Sequence, residues 1–196
     1  MDTHALLSKV RDIVAQEKPL STQSWEALLP LLKVRHLEKG ELIVREGQYY
    51  EHEIFLLEGI IRGYYDAYDG QEANVVFMMA PDTAAHWTSR TIAGKSIISY
   101  QAMKPAIIAE AHNKPFEELI RRYSDIREFA FGVVFRGLQY KTMRERQLLT
   151  TTAEARYLAF LELYPGLEKE IPHYHIASYI GVTPVQLSRI RTGLLQ

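Results

Sequence analysis

Near its C-terminus the chain reads Ile171-Pro-His-Tyr-His-Ile-Ala-Ser-Tyr-Ile-Gly-Val-Thr-Pro-Val-Gln-Leu-Ser-Arg-Ile-Arg191. Pro172 suits the first turn of a helix, where its missing amide hydrogen costs nothing. Gly181 can supply the positive φ that ends a helix in a tight turn. Thr183 is a suitable N-cap and Pro184 a suitable first helical residue, so a second helix is expected two residues after the glycine. The segment therefore predicts two short helices joined by a turn.

Such a pair is typical of the helix-turn-helix, whose second helix enters the major groove of DNA. On the outward face of the second helix, Arg189 can donate twice to guanine, Gln186 can contact adenine and Val185 can touch a thymine methyl group. We predict that seven residues contact DNA: Thr183, Val185, Gln186, Ser188, Arg189, Arg191 and His173.

The charges around this segment suit a polyanion, because no carboxylate occurs from residue 171 to residue 196. Thr183, Arg191 and the two histidines His173 and His175 are predicted to contact phosphates. The side chains expected to anchor the two helices inward are Ile176, Ala177, Ile180, Leu187, Ile190 and Leu194. The same spacing also fits a plain helical hairpin whose arginines are solvated.

The composition excludes several classes of protein. The chain has 196 residues, a net charge of −1 and no cysteine, so disulfides, thiolate zinc sites, a cysteine nucleophile and an iron–sulfur cluster held by cysteines are all excluded. The longest apolar runs are far short of the ~20 residues that a membrane span needs. The early Asp2 does not fit a signal peptide. We therefore expect a soluble, cytoplasmic protein with no membrane partner.

The middle of the chain predicts a sheet structure. From residue 38 to residue 111, glycines separate short segments rich in Ile, Val, Tyr and Phe, which favours a sandwich or barrel. Asp69-Gly70 is a suitable hairpin turn. The predicted strands are Leu42–Val44, Ile54–Leu57, Ile60–Tyr65, Val75–Met79, Ile97–Tyr100 and Ile107–Ala109.

Helices are predicted on both sides of this region. Residues 1–37 show apolar residues at helical spacing, with Ser24 as the expected N-cap of a second segment. After a short helix over Phe116–Arg122, a long helix is expected, capped by Ser124 or Asp125 and running to about Leu149. A rod of roughly 37 Å exceeds what a small domain needs for its own core. It can be a core helix of one domain or, as we favour, a spine that pairs two protomers through Ile126, Phe129, Val133 and Tyr140.

With these motifs in place, the chain resembles the superfamily of the cyclic AMP receptor and the fumarate–nitrate regulator. Glu41-Leu-Ile-Val-Arg-Glu-Gly47 and Ile54-Phe-Leu-Leu-Glu-Gly59 are similar to the first strands of the family's cyclic-nucleotide-binding β-roll, and Tyr68-Asp-Gly70 to a hairpin that follows. Ile176–Pro184 and Leu187–Arg191 are similar to its helix-turn-helix signature. The wording Tyr-Ile-Gly-Val-Thr-Pro most resembles short members from Bacteroidetes-type bacteria.

The resemblance implies an α+β fold with three parts. Residues 1–120 would form a β-roll sensor domain with N-terminal helices, residues 121–149 a connecting and dimerisation helix, and residues 150–196 a helix-turn-helix domain. The sequence stops at Gln196, just past the second helix, so the family's β-hairpin wing is expected either to be absent or to lie beyond this residue. The function implied is transcription regulation by a homodimer on a near-palindromic DNA site, with RNA polymerase as a further candidate partner.

The expected effector site departs from the family pattern. The chain lacks the Gly-Glu pair of cyclic AMP binders, and Ser96 stands where their phosphate-binding arginine belongs. A buried cyclic phosphate needs such a charge partner. We therefore expect an unidentified small-molecule effector, if any, and no cyclic nucleotide bound in the usual way. The resemblance places its pocket at Trp87, Arg90 and Ser96, beside the long helix.

Other functions fit the sequence less well. A haem could use His86 or His112, but lone histidines are more often ordinary hydrogen-bonded groups. His173 and His175 alone are too few ligands for a metal site, so no metal or cofactor is predicted. A cupin-type enzyme would need regularly spaced ligands, which His52, Glu53 and Glu58 do not provide, and no catalytic motif occurs. The alternatives kept are an effector-binding protein that has lost DNA binding, and a regulator that still responds to a cyclic nucleotide.

Overall fold

Glycines punctuate the middle of the chain, and the β-branched and aromatic segments between them pair into two antiparallel sheets. A computed structural model describes residues 3–67, 70–84, 86 and 90–194, with backbone only for residues 3 and 4. In these ranges the strands are β1 Leu32–Leu37, β2 Leu42–Val44, β3 His52–Glu58, β4 Ile60–Asp66, β5 Glu72–Met79, β6 Asp82–Thr83, β7 Thr91–Ile92, β8 Lys95–Ser96, β9 Ser99–Ala102 and β10 Ala106–His112.

The two sheets face each other in a roll. Sheet A has the strand order β1-β10-β3-β6 and sheet B the order β2-β9-β4-β5, while β7 pairs with β8. Alternate residues of each sheet point into a shared apolar core that includes Ile54, Leu56, Ile61, Tyr100 and Ile108. The β-roll that the sequence predicted is therefore present.

Helices surround this roll. They are α1 Thr3–Glu17, α2 Thr22–Leu28, α3 Asn113–Arg122, α4 Ser124–Thr150, α5 Ala153–Leu163, α6 His173–Ile180 and α7 Pro184–Leu194. Short 3₁₀ turns occupy Leu29–Leu31 and Leu167–Lys169. The helix α1 and the first half of α4 cover sheet A, where Val10 and Val14 pack with Phe55 and Phe129. The rings of Phe55 and Phe129 stack with centroids 6.2 Å apart.

The N-terminal region corrects two predictions. Residues 32–37, expected to be helical, form strand β1 and pair with β10 from Leu32↔Ala111 to Leu37↔Ala106. Pro30, inside the 3₁₀ turn, cannot donate in a continuing helix, so α2 stops at Leu28. Ser21, not Ser24, caps α2, because its hydroxyl accepts from the Ser24 amide.

The predicted cap residues of the long helix have different roles. The helix begins at Ser124, but no side chain caps it through its N-cap residue Tyr123. Asp125 accepts from the Ser21 amide at 2.8 Å and from the Ser24 hydroxyl at 2.7 Å, which ties α2 to α4. These bonds lower the pKa of Asp125 despite the opposing effect of burial. One predicted strand is displaced, from 97–100 to Ser99–Ala102, and the Asp69-Gly70 turn falls partly outside the described residues.

The predicted dimer contacts on α4 are wrong. Ile126, Phe129 and Val133 are at most 4% exposed and belong to the core of their own chain. Tyr140 donates to the Val75 carbonyl of sheet B at 2.8 Å. The helix carries two apolar sides, and these four residues lie on the side that packs against the roll. The opposite side carries the exposed residues Phe131, Phe135, Leu138 and Leu149.

The burial of Phe129 predicts a large loss of stability on truncation. Phe129→Ala should lower the free energy of unfolding by about 3–5 kcal/mol, because it opens a cavity beneath Phe55. Gln139→Ala, at an exposed position of the same helix, should change it by less than about 0.5 kcal/mol. Denaturant unfolding checks both values, and equal effects of the two substitutions would contradict the packing described.

Candidate nucleic-acid interface

The C-terminal module, residues 153–194, has its own apolar core. Tyr157, Phe160, Leu167, Ile176 and Leu187 are buried in it. Three residues of the roll, Ile60, Phe77 and Met103, belong to the same cluster, so the module rests on the outer face of sheet B. The position of the helix-turn-helix is therefore set by contacts with the roll.

The turn between α6 and α7 has the predicted glycine geometry. Gly181 adopts φ 71° and ψ 44°, the left-handed region in which glycine carries no Cβ penalty. The Val182 amide donates to the Ala177 carbonyl at 3.0 Å and the Gly181 amide to the Ser178 carbonyl at 3.3 Å, a Schellman arrangement. The prediction that Gly181 ends the first helix is confirmed.

The start of α7 is a capping box, of which only the Thr183 cap was predicted. The Thr183 hydroxyl accepts from the Gln186 amide at 3.2 Å, and the Gln186 side-chain oxygen accepts from the Thr183 amide at 2.9 Å. The Thr-x-x-Gln spacing was the available signal. Because the Gln186 carboxamide is used in this cap, its predicted contact with adenine requires the cap to open.

The outer face of α7 is exposed as predicted. Val185 is 62% exposed, and Ser188 and Arg189 are also exposed, whereas Leu187 is buried. The predicted inward anchor Leu194 is wrong, because 39% of it is exposed at the end of the helix. The exposed residues of this face can therefore present one cation, Arg189, together with the methyl groups of Val185 and the hydroxyl of Ser188.

Arg191 and His173 are engaged within the module. The Arg191 Nε atom lies 2.7 Å from Glu168 Oε1, and its Nη1 atom lies 3.1 Å from His173 Nδ1. The Tyr157 hydroxyl donates to the same carboxylate oxygen at 2.6 Å. Glu168 precedes the acid-free segment by three residues, so counting charges within that segment missed it. The predicted phosphate contacts of Arg191 and His173 would have to compete with Glu168.

The prediction that His175 contacts phosphate is wrong. His175 is 5% exposed, because it lies on the inward side of α6 with Ile176 and Tyr179. Its Nδ1 atom is 3.2 Å from Arg62 Nη1 and 3.3 Å from Asn74 Nδ2. Both neighbours present donors, so Nδ1 accepts and the ring is neutral. Burial, and secondarily the Arg62 charge, lower the pKa of His175 to about 4.

Arg62 is itself buried on sheet B and is held by several partners. It is 3% exposed, and its Nη2 atom lies 2.5 Å from Glu72 Oε2 and 2.6 Å from the Gln101 side-chain oxygen. Its guanidinium stacks on the Tyr64 ring at 4.1 Å from the centroid. The charge is thus compensated, and the fixed guanidinium offers a donor to His175 of the module.

Two further polar contacts join the module to the roll. The Ser178 hydroxyl on α6 accepts from the Asn74 amide at 3.0 Å and donates to the Glu72 carbonyl at 2.7 Å. The Arg144 Nη2 atom on α4 donates to the Asn74 carbonyl at 3.0 Å and to the Tyr179 carbonyl at 2.7 Å. The Arg144 guanidinium also lies over the Tyr179 ring, 4.0 Å from its centroid. We call this meeting point of β5, α4 and α6 the module junction.

A cluster of three tyrosine hydroxyls completes the module junction. The Tyr140 oxygen lies 2.9 Å from the hydroxyls of both Tyr164 and Tyr179. Since Tyr140 donates its one hydrogen to the Val75 carbonyl, the other two hydroxyls donate to Tyr140. Burial raises the pKa of Tyr140 and Tyr164, so both phenols stay protonated. These hydrogen bonds therefore connect α4, α6 and the end of α5 to strand β5 of the roll.

A cavity of about 1110 Å³ lies between sheet B, α4 and the C-terminal module. Arg90, predicted for the effector pocket, is part of its wall. Among the described residues, Ser96 is not part of this wall, and its buried hydroxyl donates to the Ile98 carbonyl. Trp87, the third predicted residue, lies outside the described residues. The wall also includes Ser178 and Gly181, so the cavity reaches the helix-turn-helix.

The histidines and acids discussed for metal chemistry form separate pairs. Glu53 is 3.3 Å from His86 Nε2, whereas Glu58 pairs with Lys9 at 2.6 Å and the His52 ring meets His112 edge-on. Burial lowers the pKa of His86 to about 4. Across the described ranges, no group of three or more His, Cys, Asp and Glu side chains is placed to hold a metal ion. In the same ranges, no helix is long and apolar enough to cross a membrane.

Comparison with solved structures identifies the fold. FixK2 from Bradyrhizobium japonicum superposes with a TM-score of 0.73 at 18% identity, covering 83% of this chain and 84% of that chain. CLP of Xanthomonas campestris, described as a c-di-GMP responsive global regulator, gives 0.69 at 12% identity over 89% and 92%. The catabolite activator protein of Thermus thermophilus gives 0.57 at 20% identity over 90% and 84%.

These likenesses show that the chain has the α+β fold of cyclic AMP receptor and fumarate–nitrate regulator proteins, as predicted. No family model matches the sequence, and no curated protein matches it either.

The buried His175 predicts acid sensitivity. Its ring binds a proton near pH 6.5 when unfolded but only near pH 4 when docked. Between these values the unfolded state holds more protons, so the free energy of unfolding should fall as the pH is lowered through this window. His86 contributes in the same direction. His175→Gln should therefore reduce the slope of stability against pH without abolishing it.

Urea unfolding at several pH values measures this slope. Gln139→Ala, at an exposed position of α4 without a titrating side chain, is the control and should keep the wild-type slope. A wild-type slope in the His175 variant would show that the ring is not held neutral against Arg62.

Proposed function

We propose that the chain is a sequence-specific DNA-binding transcription regulator that acts as a homodimer. The observation that carries this proposal is the outer face of α7, where Val185, Ser188 and Arg189 are exposed while Leu187 holds the helix in the module. Arg189 can donate in a bidentate manner to guanine, and the helix N-terminus can approach a phosphate. The fold it shares with named regulators supports the proposal.

The exposed side of α4 supports the dimer. Phe131, Phe135, Leu138 and Leu149 are 68%, 60%, 60% and 77% exposed. Positions 131, 135, 138, 142, 145 and 149 alternate steps of four and three residues, which is the heptad spacing of a coiled coil. Thr142 and Glu145 occupy two of these positions, so the apolar seam is strongest in the first half of the helix. A second copy of α4 in the same register would cover it.

A dimer of this kind places two α7 helices on successive major grooves, about 34 Å apart. The site read would then be near-palindromic. By the resemblance of its motifs we assign the chain to the Bacteroidetes-type members of the superfamily, working in the cytoplasm with RNA polymerase as a candidate partner. The cavity beside the module junction is the proposed effector site. It would not hold cyclic AMP in the usual way, and no metal or other cofactor is proposed.

Arg189 should dominate sequence recognition. On a duplex selected from random DNA, Arg189→Ala should cost about 1–3 kcal/mol of binding free energy and relax the preference for guanine at one position per half-site. Arg191→Ala should cost less, because Glu168 already neutralises Arg191. Fluorescence anisotropy at two salt concentrations measures both.

A wild-type chain that shows no salt-dependent binding to any selected DNA would contradict the regulator proposal. Equal losses in the two arginine variants would contradict the assignment of Arg189 as the base-reading side chain.

The exposed seam of α4 predicts the oligomeric state. Phe135→Glu should convert the dimer to a monomer at micromolar concentration, because it places two carboxylates at facing positions of the seam. Met143→Glu adds the same charge to α4 at a position outside the heptad repeat and should leave a dimer. Sedimentation velocity measures the masses, and a monomeric wild type would remove the dimer from the proposal.

A second candidate function is effector binding without DNA regulation. It is favoured by the use of Gln186 and Arg191 in bonds within the module. A cyclic-nucleotide-responsive regulator is a further alternative, since Arg90 in the cavity wall offers one cation to a phosphate. The DNA-binding measurements above separate the first alternative from the main proposal.

A further inference from the structure

The cavity beside the module junction has a wall of mixed chemistry. Most of it is apolar, and the side chains that form this part include Val76, Met78, Ile98, Val133, Leu148 and Leu163. A volume of about 1110 Å³ is at the upper end of small-molecule sites, so an occupant with an extended apolar body fits. A small, fully polar effector would leave much of this wall in contact with water.

The charged groups of the wall are mainly positive. Four cations, Arg90, Arg136, Lys141 and Arg144, face two carboxylates, Asp82 and Glu145. Arg136 is shared between Asp82 at 3.7 Å and Glu17 at 3.1 Å. Burial raises the pKa of Asp82, which makes its negative charge less available to the cavity. The wall therefore favours an anionic group over a cationic one.

Arg144 differs from Arg136 in what it binds. Its Nη2 atom donates to two neutral backbone carbonyls, those of Asn74 and Tyr179. Among the described residues, no carboxylate forms an ion pair with it. A hydrogen bond to a charged acceptor is about twice as strong as one to a neutral acceptor. A carboxylate entering the cavity can therefore compete with these carbonyls for the guanidinium.

From this arrangement we propose that the cavity binds an amphipathic organic anion, with its carboxylate at Arg144 and its apolar body along β5 and α4. Arg144 joins β5 to α6 through two bonds from Nη2, so a carboxylate that takes an Nη2 hydrogen weakens that connection. Occupancy thereby changes the position of the helix-turn-helix relative to the roll. The proposal rests on the proposed function only for its effect on DNA, and the binding of the anion can be measured alone.

The direct test is isothermal titration calorimetry of the full chain with decanoate, without DNA. We expect saturable binding, one decanoate per chain, at least tenfold tighter than that of decyltrimethylammonium. Arg144→Gln should weaken decanoate binding at least tenfold. Arg146→Gln, an exposed arginine two residues away on α4, removes the same charge outside the cavity and should bind as the wild type does.

Arg144→Lys guards against a fold defect in the glutamine variant. Because it keeps the positive charge, it should retain decanoate binding to within a few-fold. Equal affinities for the two head groups, or equal losses in Arg144→Gln and Arg146→Gln, would overturn the proposal. No saturable binding of either decanoate or 4-phenylbutanoate would also overturn it.

A second arm measures the coupling to DNA. Saturating decanoate should change the Kd for a selected duplex at least fivefold in the wild type and leave it unchanged in Arg144→Gln. By linkage, the duplex should change the Kd for decanoate by the same factor. Decanoate binding with an unchanged DNA affinity would overturn the coupling, whereas absence of all DNA binding would count against the proposed function and not against the anion site.

Discussion

The burial of one side of α4 is the constraint on which the rest of the structure depends. Its first half closes the core over sheet A through Ile126, Phe129 and Val133. Its second half carries Tyr140 and Arg144 into the module junction. Because a 27-residue helix is a rod of roughly 40 Å, these contacts fix its line across the whole molecule. The opposite side of the helix is left apolar and exposed, and it is the surface on which we propose that two chains pair.

The module junction combines an apolar contact with buried polar groups. The apolar part, Phe77 against Tyr164 and Tyr179, supplies area but little orientation. The polar groups are more demanding, since a buried donor or acceptor that loses its partner costs about 1–3 kcal/mol. Arg62 and Arg144 reach their hydrogen-bond acceptors on α6 when the module occupies the position observed. A junction of this kind resists small rotations of the C-terminal module against the roll. A ligand that satisfies the polar groups of the junction in another way can shift the module.

Much of the fold was predictable from the sequence because its signals are local. Gly181 and Thr183-Pro184 determine the turn by backbone conformation, and the short strands follow from glycine spacing.

The wrong predictions lie where a partner distant in the sequence determines the local structure or contact. The leucines at 28, 29, 31 and 32 favoured a helix continuing to residue 37, but β10 provides residues 32–37 with a strand partner. The periodicity of α4 showed two apolar stripes without showing which one the roll would cover. His175 and Arg191 were predicted to contact phosphates from the sequence of residues 171–196 alone. Their partners in the structure, Arg62 and Glu168, lie outside that segment. The cavity walls come from three separate parts of the chain, so no local pattern could reveal them.

We propose that two α7 helices, set by paired α4 helices, read DNA together. Selection of bound duplexes from a random library, followed by sequencing, distinguishes paired from single reading. We expect an enriched motif with two inverted half-sites whose centres are about one helical turn, roughly 10 base pairs, apart. Enrichment of isolated half-sites with no fixed spacing, or no enrichment at all, would contradict it.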